Sequence, residues 1–388
     1  MTTHTTYTPH TFTPLNSGWT FTALNPELAP EALRDRLTAG IPATVPGEAT
    51  IDLLDAGLIE DPFDGDNENR QQWIGDIDWR FTCEFDWHND GNDRHDLVAY
   101  GLDTVAYVSL NGLIVGNTRN FHRTYRWDAR PYLSDGKNTL SVVFMSPVRF
   151  SDTEEQRRGY YPHTEHHAFN QIRKPSYSFG WDWGIDVANA GIWRPIGLDS
   201  WNEARIESVR PLVDVRADGT GVLTVNVDIE RAGGGRLMSP GDVHSSKPAV
   251  PFMVHVGGHD VNLELAGVIA QGCNSGSITV EIPDVELWWP RGYGDQPLYD
   301  VQVSLGEHGE AQWPVKSASA PCVWTPPPTR PDARSRSTST TCRCMRAATT
   351  GFPTPLHLPG GRRALQPRRQ RSGGIQLEHG ACVGRRHL

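Results

Sequence analysis

The run Thr104-Val105-Ala106-Tyr107-Val108-Ser109-Leu110-Asn111-Gly112-Leu113-Ile114-Val115 decides the fold class. Two apolar stretches flank an Asn-Gly pair, and both of those residues tolerate the positive φ that a two-residue hairpin turn demands. The run therefore predicts a β-hairpin. Upstream, Trp79, Phe81, Cys83 and Phe85 alternate with Arg80, Thr82 and Glu84, the period of a half-buried strand. Downstream, the turn residues Ser134–Asn138 lead into apolar Leu140–Met145. Helical signals are few and short: residues 32–39, and residues 51–56 with Thr50 as N-cap. Many short strands with turn punctuation predict a β-sandwich.

A boundary falls near Trp201–Arg210. Beyond it, four alternating runs (223–229, 252–256, 278–282 and 299–305) predict a second, smaller immunoglobulin-like sandwich. The Gly/Ser/Pro-rich residues 232–248 are expected to form a long loop inside it. From Ser317 onward neither strand nor helix periodicity survives. The last 72 of the 388 residues hold nine Pro, twelve Arg and no Lys, with Asp332 and Glu378 as the only acids. Such a segment buries too little apolar surface to offset its ordering entropy. It reads either as a natural disordered basic tail or as out-of-frame translation of a GC-rich gene, and the absence of Lys favours the latter. The expected organisation is thus 1–203, 204–316 and a disordered 317–388, an all-β chain with an irregular end.

The net charge of −10 hides an acidic body in front of that basic end. An acidic body argues against nucleic acid as a partner. No 18-residue apolar run points to a membrane. The start, MTTHTTYTPHTFTPLNSGW, has neither a basic n-region nor an apolar h-region. Only Cys83 and Cys273 precede residue 317, which suits a reducing, cytoplasmic location rather than a disulfide framework.

The chemistry concentrates in Arg173–Gly184, RKPSYSFGWDWG. Trp181 and Trp183 bracket Asp182, with glycines at 180 and 184. Indole faces cover the apolar C–H side of a pyranose, and a carboxylate accepts its hydroxyls. The two indoles and the Asp182 carboxylate are therefore candidates for holding a sugar ring. Core packing is the alternative reading for either indole, Trp183 more than Trp181, and Asp182 has the alternative of capping a turn. Arg173 and Lys174 are expected to pin this loop through carbonyls or acids.

These residues belong to a longer pattern. Ala43–Gly47, Asp52-Leu53-Leu54, Gly57-Leu58-Ile59, Asp61-Pro62-Phe63, Asp66-Asn67-Glu68, Trp73-Ile74-Gly75 and Asp78-Trp79 come first. Gly101–Ala106, Asn111-Gly112, Asn120-Phe121, Gly136-Lys137-Asn138, Arg173–Gly184 and Gly191–Pro195 follow. Leu287-Trp288-Trp289-Pro290, Gly292-Tyr293-Gly294 and Pro297-Leu298-Tyr299 continue it. Over residues 12–316 the chain resembles the N-terminal part of the β-mannosidases of glycoside hydrolase family 2. Taken jointly these blocks are specific; singly each is weak.

The resemblance implies a jelly-roll (galactose-binding-like) β-sandwich, then an immunoglobulin-like sandwich, then a (β/α)₈ barrel as intramolecular partner. It implies hydrolysis of terminal non-reducing β-D-mannose from manno-oligosaccharides with retention, by two barrel glutamates about 5–5.5 Å apart. This sequence is expected to stop, or lose its frame, before that barrel, so it inherits neither glutamate and is expected to be silent alone. By resemblance, Trp181 and Asp182 face the terminal sugar and supply remote binding energy. Two other functions compete: an exo-β-glucosaminidase-like family-2 fragment, and a non-catalytic carbohydrate-binding module.

The remaining motifs carry less. Trp288-Trp289-Pro290 is expected to pack toward the barrel, with an aggregation liability if uncovered. His163, His166 and His167 in PHTEHH are expected to lie in a solvated loop, with no metal and no cofactor. Cys342-Arg343-Cys344 lacks paired spacing. No phosphate loop, nucleotide fingerprint or Ser-His-Asp order is present.

Overall fold

A computed structural model describes residues 11–164, 166–232, 248–289, 294–306 and 311–317. Most of the expected loop 232–248 and all but the first residue of the 317–388 tail lie outside the described residues.

The first part of the chain builds two antiparallel sheets. Its elements are β1 (Thr11–Pro14), β2 (Trp19–Ala23), α1 (Arg34–Ala39), β3 (Ile41–Ala43), α2 (Ala49–Asp55), α3 (Asn67–Arg70) and α4 (Trp73–Asp76). Then come β4 (Trp79–Trp87), β5 (Arg94–Ala99), β6 (Val105–Leu110), β7 (Leu113–Arg119), β8 (Tyr125–Asp128) and β9 (Gly136–Phe144). Helix α5 (Pro147–Arg158) and β10 (Ile196–Trp201) complete it. One sheet has the order β3-β2-β4-β9-β6-β7, the other β1-β10-β5-β8.

Alternation explains the larger sheet. Strand β4 buries Trp79, Phe81 and Cys83 on one face, and β9 buries Leu140, Val142 and Phe144. Phe81 stacks on Phe21 at 5.2 Å and meets Phe144 edge-on at 5.5 Å. Such aromatic pairs add about 0.5–1.5 kcal/mol each beyond area burial. Leu97, Ala99, Ile196 and Leu198 close the core from the smaller sheet. The Asn111-Gly112 turn joins β6 to β7 with φ of 52° and 81°, as a primed hairpin turn requires.

The smaller sheet breaks the alternation. Strand β5 buries His95, Asp96, Leu97, Val98 and Ala99 in succession. The Asp96 carboxylate makes this possible. It accepts from Arg94 at 3.0 Å, Arg126 at 3.2 Å and the Trp201 indole at 2.9 Å. Arg126 also reaches Asp199 at 2.5 Å. Buried charges persist when paired and hydrogen-bonded in this way.

The second part is a seven-stranded immunoglobulin-like sandwich among the described residues, not four strands. It comprises β11 (Ala204–Val215), β12 (Gly221–Arg231), β13 (Val250–Gly258), β14 (Val261–Ile269), β15 (Ser275–Ile282), β16 (Tyr299–Leu305) and β17 (Ala311–Ser317). The sheets run β11-β12-β15 and β14-β13-β16-β17. Strict alternation in β12 and β13 sends Val225, Val227, Phe252 and Val254 into a core separate from the first. Arg94 of β5 and Arg205 of β11 both lie over Trp201 and both pair with Glu230, joining the two sandwiches.

Three local expectations are corrected. Helix α2 starts at Ala49, so Thr50 lies inside it rather than capping it. The Thr50 amide and hydroxyl instead donate to Asn189 Oδ1 at 3.2 and 3.0 Å, a long-range partner that outweighs a local cap. Helix α5, unforeseen, is started by Ser146, whose hydroxyl accepts from the Arg149 amide at 3.0 Å with Pro147 in the first turn. The PHTEHH histidines are not uniformly solvated: His163 and His167 are half-buried and only His166 is exposed. Trp288 and Trp289 are half-buried, and Pro290 lies outside the described residues. Among the described residues no helix is long and apolar enough to cross a membrane.

Candidate functional site

Among its described residues the segment between α5 and β10 contains no long strand or helix, yet it is firmly held. Its anchor is a buried polar cluster. The Lys174 ammonium pairs with the Asp103 carboxylate and donates to the Asn189 carbonyl at 2.9 Å. The Asp103 amide donates to the Gly191 carbonyl at 2.9 Å. The Gly47 amide reaches Ile192 and the Ala49 amide reaches Ala190, each at 2.9 Å. Only glycine fits at 191, because a β-carbon would come within 2.5 Å of the Gly47 carbonyl oxygen. Lys174 thus fulfils the pinning role expected of it. Arg173 is exposed, and its carbonyl accepts from the Phe121 amide at 2.9 Å.

Two further acids flank this cluster. Burial first, and Asp103 second, push the Glu48 carboxyl up to about 8, against the opposing pull of Lys174. Glu48 Oε1 is sealed from water without a hydrogen bond. Burial pushes Asp52 up to about 7, although its Oδ1 accepts from the Thr44 amide at 3.0 Å. Tyr177 is raised by burial and by Asp103 and Glu48. Glu48 is thus coupled to Asp103, Lys174 and Asn189 of the anchor, whereas Asp52 is tied to Thr44. Sequence reasoning did not single out Glu48 or Asn189, because chain positions so far apart carry no shared local pattern.

The loop emerges from this anchor. Gly180 is buried with φ of +90°, and a β-carbon there would lie 3.0 Å from Asp186 Cβ. Trp181 and Gly184 exchange backbone hydrogen bonds at 3.4 and 3.1 Å, forming a tight turn. Trp181 is 43% exposed, Trp183 is 44% exposed, and Asp182 is exposed between them. Trp183 lies 5.6 Å from the Tyr177 ring. Asp182 and Trp183 therefore form the tip of the turn and Trp181 opens it, so an exposed carboxylate stands between two exposed indoles.

A second cluster lies at the base of the turn. His166, His167 and Asp186 bring their ligand-type atoms within 4.8 Å of one another. His166 Nε2 is 3.2 Å from Asp186 Oδ2. Burial and the neighbouring His166 hold His167 below the ordinary imidazole value.

Comparison with known proteins bears on this geometry. Residues 19–194, which span the larger sheet, the anchor and the turn, match the glycosyl hydrolase 2 galactose-binding domain-like family. Residues 19–194 are a galactose-binding-like domain of the glycosyl hydrolase 2 family. Beta-mannosidase B of Aspergillus fumigatus is 29% identical over 306 residues, covering 76% of this chain and 33% of that protein. Beta-mannosidase of Capra hircus is 31% identical over 284 residues, covering 68% and 30%. The crystal structure of the Dictyoglomus thermophilum beta-D-mannosidase superposes with a TM-score of 0.63 and 28% identity, covering 78% of this chain and 36% of that one. The Amycolatopsis orientalis exo-chitosanase shares the fold, with a TM-score of 0.52 at 18% identity over 80% of this chain and 34% of that one. The chain spans about a third of the length of the curated relatives it matches. In this glycosyl hydrolase 2 domain, the exposed turn is the feature whose chemistry suits a sugar.

Proposed function

We propose that this chain supplies the sugar-orienting portion of a retaining β-mannosidase. Residues 1–203 form the unit that carries the turn, and residues 204–316 form the immunoglobulin-like unit behind it. Trp181 stacks on the apolar face of a terminal β-D-mannosyl residue, and Asp182 accepts from ring hydroxyls away from the anomeric carbon. Bond cleavage is assigned to a pair of glutamates outside the Trp181–Asp182 turn, and the expectation for this polypeptide is no turnover of aryl β-mannosides. Acid and base roles at the anomeric carbon need two carboxyls at fixed separation, which a single exposed aspartate cannot provide.

The carrying observation is the exposed Trp181–Asp182 turn on a stem locked by Lys174. Pre-positioned contacts of this kind convert remote binding energy into orientation. The likeness to β-mannosidases of fungal, mammalian and bacterial origin supports mannose as the sugar. Free Cys83 and Cys273 agree with a cytoplasmic setting.

Two assays test the proposal. Calorimetric titration with a β-mannoside should give weak, saturable binding that exceeds binding of the matching β-glucosaminide and disappears in Asp182→Ala. Equal affinity for both sugars favours an exo-β-glucosaminidase-like role or a general binding module. Turnover of an aryl β-mannoside by the purified chain contradicts the assignment of cleavage elsewhere.

A further inference from the structure

We propose that His166, His167 and Asp186 form a binding site for a borderline divalent transition metal, Zn²⁺ being the expected occupant. The site ties His166 and His167 to the turn that carries Trp181 and Asp182.

The donor set is two imidazoles and one carboxylate, the set that zinc and its neighbours accept and that hard cations such as Mg²⁺ do not favour. The spacing is close to what coordination requires. Two ligands about 2.0–2.1 Å from a tetrahedral ion lie roughly 3.3 Å apart. His166 Nε2 and Asp186 Oδ2 are already at 3.2 Å. The third donor lies within 4.8 Å of both, and the two imidazole centroids are 3.9 Å apart.

The ligands are also held in place. The Asp186 amide donates to Glu68 Oε2 at 2.8 Å, and its carbonyl accepts from Gln72 Nε2 at 2.6 Å. Gly180 lets the backbone close over Asp186 Cβ. The His167 carbonyl accepts from the Phe169 amide at 2.8 Å, and its ring lies 5.8 Å from buried Phe179. His167 Nε2 is buried without a hydrogen bond, a donor atom that a metal would satisfy. Asp76 and Asp152 lie within electrostatic reach of His167 and add negative potential. Asp186 lies twenty positions beyond His166, which is why the sequence showed only the histidines. Exposed His166 leaves one side open, so water or a ligand atom fills the remaining position.

The test uses the full chain stripped with EDTA and then titrated with Zn²⁺ in a calorimeter, with Co²⁺ as a visible-absorption probe of nitrogen ligation. His166→Ala, His167→Ala and Asp186→Asn are compared with the unaltered protein. His163→Ala is the control, because His163 pairs with Glu155 instead. The unaltered protein and the control should bind Zn²⁺ and raise their melting temperature with it. Each ligand variant should bind at least about tenfold more weakly, a loss that removal of outer-shell partners alone already reaches. His166 is exposed, so its variant is expected to fold normally and keeps the test valid if another variant does not. Absence of Zn²⁺ binding, or equal binding by His166→Ala and the unaltered protein, overturns the site and leaves a simple His166–Asp186 ion pair.

Discussion

Lys174 donates to the carbonyl of Asn189 at 2.9 Å across fifteen positions of chain. This one contact closes the stem of the loop that presents Trp181 and Asp182. Because the same ammonium pairs with buried Asp103, the stem is tied to the strand β6 end of the sandwich as well. A long exposed loop would otherwise be the least ordered part of the molecule.

Lys174→Met removes that tie and leaves Asp103 buried without its partner. Breaking a buried pair from one side typically costs about 3–5 kcal/mol. Urea denaturation of the variant should show a loss of that order. Limited proteolysis should cut within residues 175–188 before any other described segment. A variant as stable as the parent and no more cleavable there would remove Lys174 from the account.

Gly180→Ala tests the turn itself. Its φ of 90° with ψ of 150° is a region essentially restricted to glycine and costs an alanine about 1–3 kcal/mol, and the new methyl would press on Asp186. Expected results are a lowered melting temperature and weakened sugar binding together. A stable variant with unchanged binding would mean that the turn geometry is not what holds Trp181 and Asp182.

Asp52 makes stability fall with rising pH. Its carboxyl titrates at an ordinary 3.8 when unfolded and at about 7 when folded. Between those values the folded chain binds more protons than the unfolded one. The contribution is therefore complete below pH 3.8 and is lost as pH climbs through 7. Each tenfold gain in proton affinity on folding corresponds to about 1.4 kcal/mol, so the swing is on the order of a few kcal/mol. Glu48, raised to about 8, acts in the same direction. Asp52→Asn keeps an oxygen for the Thr44 amide and removes the charge. Melting temperatures from pH 5 to 8 should fall less steeply in this variant than in the parent; parallel slopes would refute the assignment.

Ser146→Ala should cost about 1–2 kcal/mol, because the hydroxyl caps α5 through Arg149 and also donates to the Gly75 carbonyl at 2.7 Å. Thermal melts would show it. A cost within experimental error would mean that Pro147 alone sets the start of the helix.

How much of this was legible in the sequence varies with the range of the forces involved. The β6–β7 hairpin and β4 were plain, because Asn111-Gly112 and the Trp79–Phe85 alternation are local signals of backbone and burial. Strands β5 and β10 were not, since Asp96 and Asp199 occupy buried places where alternation predicts apolar residues. Their charges are tolerated because Arg94 of β5, Arg126 of β8 and the Trp201 indole pair with them. Helix α5 hid behind its own polarity, with the Ser146-Pro147 start as its visible sign. The Trp-Asp-Trp motif was visible, and so was a pinning role for Lys174. The partners Asp103, Asn189 and Glu48, and the meeting of His166 and His167 with Asp186, arise only when distant segments pack.

The most direct measurement of the central claim is the set of indole N–H NMR signals under titration with a β-mannoside, with Trp181 assigned through Trp181→Phe. The account predicts that the Trp181 signal moves saturably while that of buried Trp79 stays fixed, and that Asp182→Ala abolishes the movement. Indole signals that all remain in place, or a Trp181 shift that persists undiminished without the Asp182 carboxylate, would contradict it.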